Sequence, residues 1–117
     1  MKFTIQGELV DLNTYVNAER SNRFYGAKIK KDQTELVYWA VKAAKLKKAT
    51  GPVWISFIWY CKNKKKDKDN IAFSKKFIFD GLMQAGIIKN DGWDDIAGFD
   101  DRFAIDKDNP RVEVEIV

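Results

Sequence analysis

The sequence predicts an α/β domain of the α+β kind, a four-stranded mixed sheet packed with two helices in the order β-α-β-α-β-β. Three observations carry this. Short segments of alternating polarity stand at both ends of the chain, a nearly continuous β-branched and aromatic run stands in its middle, and two stretches of helical spacing separate them. With 117 residues, 45% of them hydrophobic, the chain suits a single domain over residues 1–117, without repeats or linkers.

Lys2 to Gln6 alternates like a short strand and Gly7 interrupts it. LNTYVNAERSNRFYGAKIKK then reads as a basic loop running into a helix from about Ala27 to Lys48. Leu36, Trp39, Ala40, Ala43 and Leu46 recur on that helix at helical spacing, Lys42, Lys45, Lys47 and Lys48 suit the negative end of its dipole, and Gly51-Pro52 stops it. VWISFIWYC at 53–61 predicts a central strand buried on both faces. Asn70 to Ala85 predicts a second helix, apolar around most of its circumference, with Gly86 as its cap. Trp93 to Ile105 reads as a strand with an irregular acidic middle, and Val112, Val114 and Ile116 alternate as the last one.

Composition narrows the chemistry. Histidine is absent, which removes the commonest general base and every Ser-His or Cys-His arrangement, so catalysis would run on carboxylates, lysines and metals. Cys61 is alone, which leaves no intrachain disulfide and reads as a core thiol in a reducing cytosol. The opening MKFTIQGELV lacks a signal-peptide pattern and no apolar run can span a bilayer, so a cytoplasmic protein is expected. Residues 1–90 carry 18 Lys/Arg against 8 Asp/Glu, whereas 91–117 carry 3 against 9, and a basic body of this kind is the footprint of a polyanion binder. Trp39, Trp54, Trp59 and Trp93 read as core, Trp93 having the alternative of a place beside the site.

Asp-Lys-Asp-Asn occurs twice. The copy at 106–109 lies between two strands and runs into Pro110, so it predicts a hairpin turn. The copy at 67–70 lies between the central strand and the second helix, where extended backbone would point Asp67 and Asp69 to one side, with Lys64, Lys65, Lys66 and Lys68 around them. Helix capping by Asp69 or Asn70, a solvated loop and a metal site are all open at this point; an EF-hand is not, because Ile71 and Ala72 stand where it needs an oxygen ligand and a glycine.

The ordered series Asp67-Lys68-Asp69-Asn70, Lys75-Lys76, Phe79-Asp80-Gly81-Leu82, Ala85-Gly86-Ile87-Ile88 and Asn90-Asp91 resembles the RusA family of Holliday junction resolvases, phage-type members in particular. The family pattern is Asp-x-Asp-Asn, a lysine four residues before a helical Asp, then Leu, Ala-Gly and a closing Asp. Here the spacer between Asn70 and the lysine is longer by roughly one helical turn. The resemblance implies an Mg²⁺-dependent endonuclease, with Mn²⁺ as an alternative ion, that cuts four-way DNA junctions; a junction-binding module of the same fold that no longer cuts is the other expectation. It implies that Asp67, Asp69 and Asp91 bind metal, that Lys76 is the active-site lysine, and that Asn70 and Asp80 support them. Helical spacing favours Lys76 over Lys75, which falls on an apolar face beside Ile71, Ile78 and Leu82. Arg20, Arg23, Lys28, Lys30, Lys31, Lys64, Lys65 and Lys66 are expected to hold phosphates. Asp94, Asp95, Asp100 and Asp101 read as surface charges of a strand edge, with a reserve place among the site carboxylates as the alternative. If 70–85 is one helix of about 24 Å, Asp69 and Asp91 lie near its opposite ends, which predicts a homodimer with Asp91 arriving from the other subunit.

Overall fold

Alternation along the strands decides which side of the sheet is covered. In the computed structural model, which describes residues 1–117, β1 (Lys2–Gln6), β2 (Val53–Cys61), β3 (Ile96–Ile105) and β4 (Arg111–Ile116) form one mixed sheet in the order β1-β4-β2-β3. β4 runs antiparallel to β1 and β2, while β3 runs parallel to β2 along its other side. Phe3 and Ile5 of β1, Val112, Val114 and Ile116 of β4, and Val53, Ile55, Phe57, Trp59 and Cys61 of β2 all bury the same face. The mixed sheet and the order of strands and helical layers agree with the α+β fold predicted.

Four helices follow the strands, one pair after β1 and one after β2: α1 (Leu12–Ser21), α2 (Arg23–Ala43), α3 (Lys68–Ala72) and α4 (Lys75–Gln84), of which α2 and α4 supply the helical residues of the core. The first departs from the expected loop. Asp11 caps α1 by accepting the Thr14 amide, and Asn22, in extended conformation, ends α1 and caps α2 by accepting the Phe24 amide. α1 buries no residue fully, so its composition hides it; Tyr15 holds it to the fold by packing on Phe73 and Phe77. The buried stripe of α2 is Gly26, Val37 and Val41, while Leu36 and Trp39 are exposed, a phase shift of about one residue from the expected stripe.

The single helix expected over 70–85 is divided at Phe73 and Ser74. Backbone dihedrals stay right-handed there, but Ser74, Lys76 and Phe77 donate to carbonyls three residues back, and the Ser74 hydroxyl donates to the Val10 carbonyl at 2.6 Å. α4 ends as predicted at Gly86, whose φ of +75° is the left-handed cap position, with the Ile87 amide returning to the Leu82 carbonyl.

Two further expectations change. β2 is buried on one face only: Trp54 is exposed and Ser56, Ile58 and Tyr60 are half-buried on the open side. Because nearly every residue of VWISFIWYC is apolar, both phases of its alternation look alike in sequence. The second Asp-Lys-Asp-Asn is a turn, but not a hairpin, since β4 pairs with β2 and β1 and not with β3. The chain passes the end of β2, where the Asp106 amide donates to the Cys61 carbonyl, and Arg111 clamps the turn through Asp106 and the Asn109 carbonyl.

Candidate active site

The segment leaving β2 turns into α3 at Asp67, which is the N-cap residue by backbone conformation yet makes no side-chain capping bond. Asp69 lies in the first turn of α3, and neither carboxylate has an ion pair or hydrogen bond, although Lys64, Lys65 and Lys68 are close in sequence. Capping therefore does not occupy either carboxylate. Asn70 does cap, but another helix: its side-chain oxygen accepts the Asn13 amide at 2.9 Å, at the start of α1.

Asp67 and Asp69 line a hollow of about 620 Å³ with Lys64, Lys66, Lys68 and Phe103. Asp69 also lines an adjoining cleft of about 550 Å³ between α3, α4 and the free edge of β3, shared with Lys68, Lys75, Lys76 and Asp101. The two lysines at the start of α4 are in different states. Lys75 is largely buried, bonded to Asp101 and set 4.2 Å from the centre of the Phe99 ring. Lys76 is about half exposed and reaches Asp80 Oδ1 and Asp91 Oδ2, each at 3.2 Å. Burial alone would lower the Lys76 ammonium, but the bonds to Asp91 and Asp80 outweigh it and hold the group above its ordinary value, so it is a cation at neutral pH.

Asp91 is therefore not at the far end of the helix. The chain after Gly86 folds back along α4 and returns Asp91 to its first turn, beside Lys76, which removes the helix-length premise for placing it far from Asp69. Even so, no three carboxylates of the chain come close enough together to hold one metal ion. Asp67 and Asp69 form one group and Asp80, Asp91 and Lys76 another, with Asp69 and Lys76 on the walls of one cleft.

Among the cations expected to hold phosphates, Arg20, Arg23, Lys30, Lys31, Lys64 and Lys65 are exposed without ion pairs, Lys28 is paired with Asp32, and Lys66 is paired with Asp11 at 2.8 Å. Lys30 and Lys31 border the hollow between α2 and α4 that Asp80 also lines. Asp94 is exposed and Asp95 half-buried in the turn before β3, whereas the other two acids of that region are engaged: Asp100 accepts from Trp54 and Ser56, and Asp101 accepts from Trp59 and Lys75. Of the four tryptophans only Trp59 is core; Trp39, Trp54 and Trp93 are exposed, Trp93 almost fully.

Asp11 escaped the sequence reading, and so did the contact that brings Asp101 to the cleft. Asp101 enters through a strand 26 residues after Lys75, and Asp11 meets Lys66 across 55 positions, so no local spacing announces either contact. The one local signal was Asp11 standing before Leu-Asn-Thr, an N-cap pattern that the polar composition of α1 concealed.

Asp67 and Asp69 are oxygen donors with free lone pairs, which fits the two carboxylates that a hexacoordinate Mg²⁺ takes beside water and phosphate. Comparison with protein-family models matches residues 10–117 to Endodeoxyribonuclease RusA. A sequence search among curated proteins finds no match.

Proposed function

The chain belongs to the RusA endodeoxyribonuclease family, and from that premise we propose that it is a metal-dependent, structure-selective endonuclease that resolves four-way DNA junctions by hydrolysing backbone phosphodiesters. The observation that carries this reading is the pair Asp67 and Asp69, left without partners in a lysine-rich segment and sharing one hollow, with Asp69 also on the wall of the adjoining cleft that holds Lys76. An unpaired exposed carboxylate pair beside so many cations is available to a hard ion in a way that a capping or salt-bridged pair is not.

Mg²⁺ held by these carboxylates would supply Lewis acidity at the scissile phosphate and lower the pKa of a coordinated water. The side chains do the rest. Asp67 and Asp69 present oxygens from one rigid turn; Lys76, kept protonated by Asp80 and Asp91, offers positive charge to the pentavalent transition state at its fixed place in the cleft. The unpaired cations Lys64 and Lys65 in the segment before Asp67 and Arg20, Arg23, Lys30 and Lys31 on the helices would bind phosphates of the arms, contributing affinity more than sequence choice. The chain would act as a symmetric homodimer in which Asp91 of the partner subunit completes the carboxylate set, because one chain does not gather three. Two sites related by a two-fold axis suit paired cuts in strands of like polarity.

The test is a labelled synthetic four-way junction incubated with Mg²⁺ and either the wild-type protein or Asp69→Asn. Paired symmetric nicks are expected from the wild type, falling by at least about 100-fold in the variant while junction binding persists. Binding without cutting by either protein would make this a junction-binding module, and failure to bind any branched DNA at low salt would reject both readings.

A further inference from the structure

We propose that Asp11 and Lys66 form a positioning pair that holds the Asp67 and Asp69 carboxylates in place from outside the motif, so that Lys66 is a strut and not a phosphate contact. This rests on reading residues 67–69 as the metal-binding turn of the nuclease.

Lys64, Lys65 and Lys66 are identical in chemistry and adjacent in sequence, yet only Lys66 turns inward, to Asp11 Oδ2 at 2.8 Å. Asp11 is buried, 6% exposed, and both its oxygens are used, the second accepting the Thr14 amide at 2.8 Å as the cap of α1. A charge drawn into a partly desolvated position is retained only with such a partner, and the pairing here is mutual. Burial would raise the Asp11 carboxyl, but Lys66 and the Thr14 amide outweigh it and hold the group below its ordinary value. The bond to Asp11 outweighs burial to hold Lys66 above its own.

The same stretch of chain grips the other side of the motif. The Asn13 amide donates to Asn70, and the Val10 carbonyl accepts from the buried Ser74 hydroxyl. Residues 10–13 therefore hold the chain at 66, 70 and 74, and Asp11, Lys66, Ile71 and Ser74 are among the residues lining a cavity of about 20 Å³, room for about one water. Asp67 and Asp69 fall between these anchors with no side-chain bonds of their own. Their position relative to each other is set by backbone alone, and the backbone is set by the anchors.

Asp11→Asn is the informative variant because asparagine caps a helix as well as aspartate does, so α1 keeps its start while Lys66 loses its counter-charge. Lys66→Met removes the strut from the other end, and Lys66→Arg keeps the charge. Three measurements separate the roles. Mn²⁺ binding to the DNA-free protein by calorimetry should weaken several-fold in Asp11→Asn and in Lys66→Met, with the double variant no worse than either single one and Lys66→Arg close to wild type. Junction binding without divalent metal, measured against KCl, should show the same salt slope in Lys66→Met as in wild type. Cleavage should require several-fold more Mg²⁺ in both variants.

Unchanged Mn²⁺ affinity in Asp11→Asn, additive losses in the double variant, or a salt slope lowered by about one in Lys66→Met alone would overturn the proposal, the last by making Lys66 a phosphate contact. If the wild type neither binds nor cuts junctions the nuclease reading fails, while the Mn²⁺ comparison still decides whether the pair positions the two carboxylates.

Discussion

Lys75 and Lys76 are neighbours with opposite assignments, and the physical reason is their surroundings. Lys75 lies against the Phe57 and Phe99 rings with its ammonium on Asp101, and Asp101 in turn accepts the Trp59 indole, so the pair fastens α4 to β2 and β3. Lys76 is about half exposed and held between two carboxylates at the cleft. Lys75→Met should therefore lower stability by about 2–4 kcal/mol, since it strands a largely buried Asp101, and should reduce cleavage only as far as the fold loosens. Lys76→Met also strands a carboxylate, Asp80, whose side chain is 13% exposed, so it should lower stability by a similar amount, about 2–4 kcal/mol, but it alone should cut the turnover of protein that remains folded, by roughly 10²–10³-fold. Equilibrium unfolding beside single-turnover cleavage reads both, and the reverse pattern would exchange the two roles. The inward packing of Lys75 was legible from helical spacing alone, because Lys75 shares a face with Ile78 and Leu82. Its ion pair with Asp101 was not, since that contact depends on how β3 lies along β2.

At the scale of elements, the strands were legible wherever polar and apolar residues alternate, as in β1 and β4, and the phase was lost in β2, where they do not. The helices were legible in existence but not in number. α1 hides because it buries no residue fully and is held by an N-cap, polar contacts and one tyrosine, and the break before α4 hides because it depends on Ser74 finding the Val10 carbonyl. The packing of α2 on α4 likewise turns on one residue that no pattern singles out. A Cβ at Gly81 would stand 2.4 Å from Val37 Cγ1 and 2.7 Å from its Cβ, both fixed in the core. Alanine is the better helix former by about 1 kcal/mol, yet Gly81→Ala should destabilise the protein by about 1–3 kcal/mol because the helices would have to separate. A lowered thermal midpoint checks this; a raised one would mean that the two helices have room to part. Since α4 carries Lys76 and Asp80, the same substitution should also weaken cleavage, through displacement of groups it does not touch.

For the whole molecule, the question is whether one chain is a complete nuclease. The motif was legible as a linear pattern, and two of its residues, Asp69 and Lys76, line one cleft, but the expected separation of Asp69 and Asp91 by a helix length was replaced by a return of the chain that sets Asp91 on Lys76. The carboxylates still stand as two groups, which is why a second copy is invoked. Mixed dimers decide it. Asp69→Asn and Asp91→Asn each should be inactive alone. Co-expressed with different tags and purified as the heterodimer, they would combine so that one site carries both defects and the other carries neither, if Asp91 crosses between subunits. That heterodimer should nick a junction at about half the wild-type rate per dimer and make single, unpaired cuts. If Asp91 serves its own chain, each site of the heterodimer keeps one defect and no nicking returns. A protein that sediments as a monomer at assay concentration while cutting both strands would dispose of the dimer altogether, and would require Asp91 to swing from Lys76 toward Asp69 within the single chain.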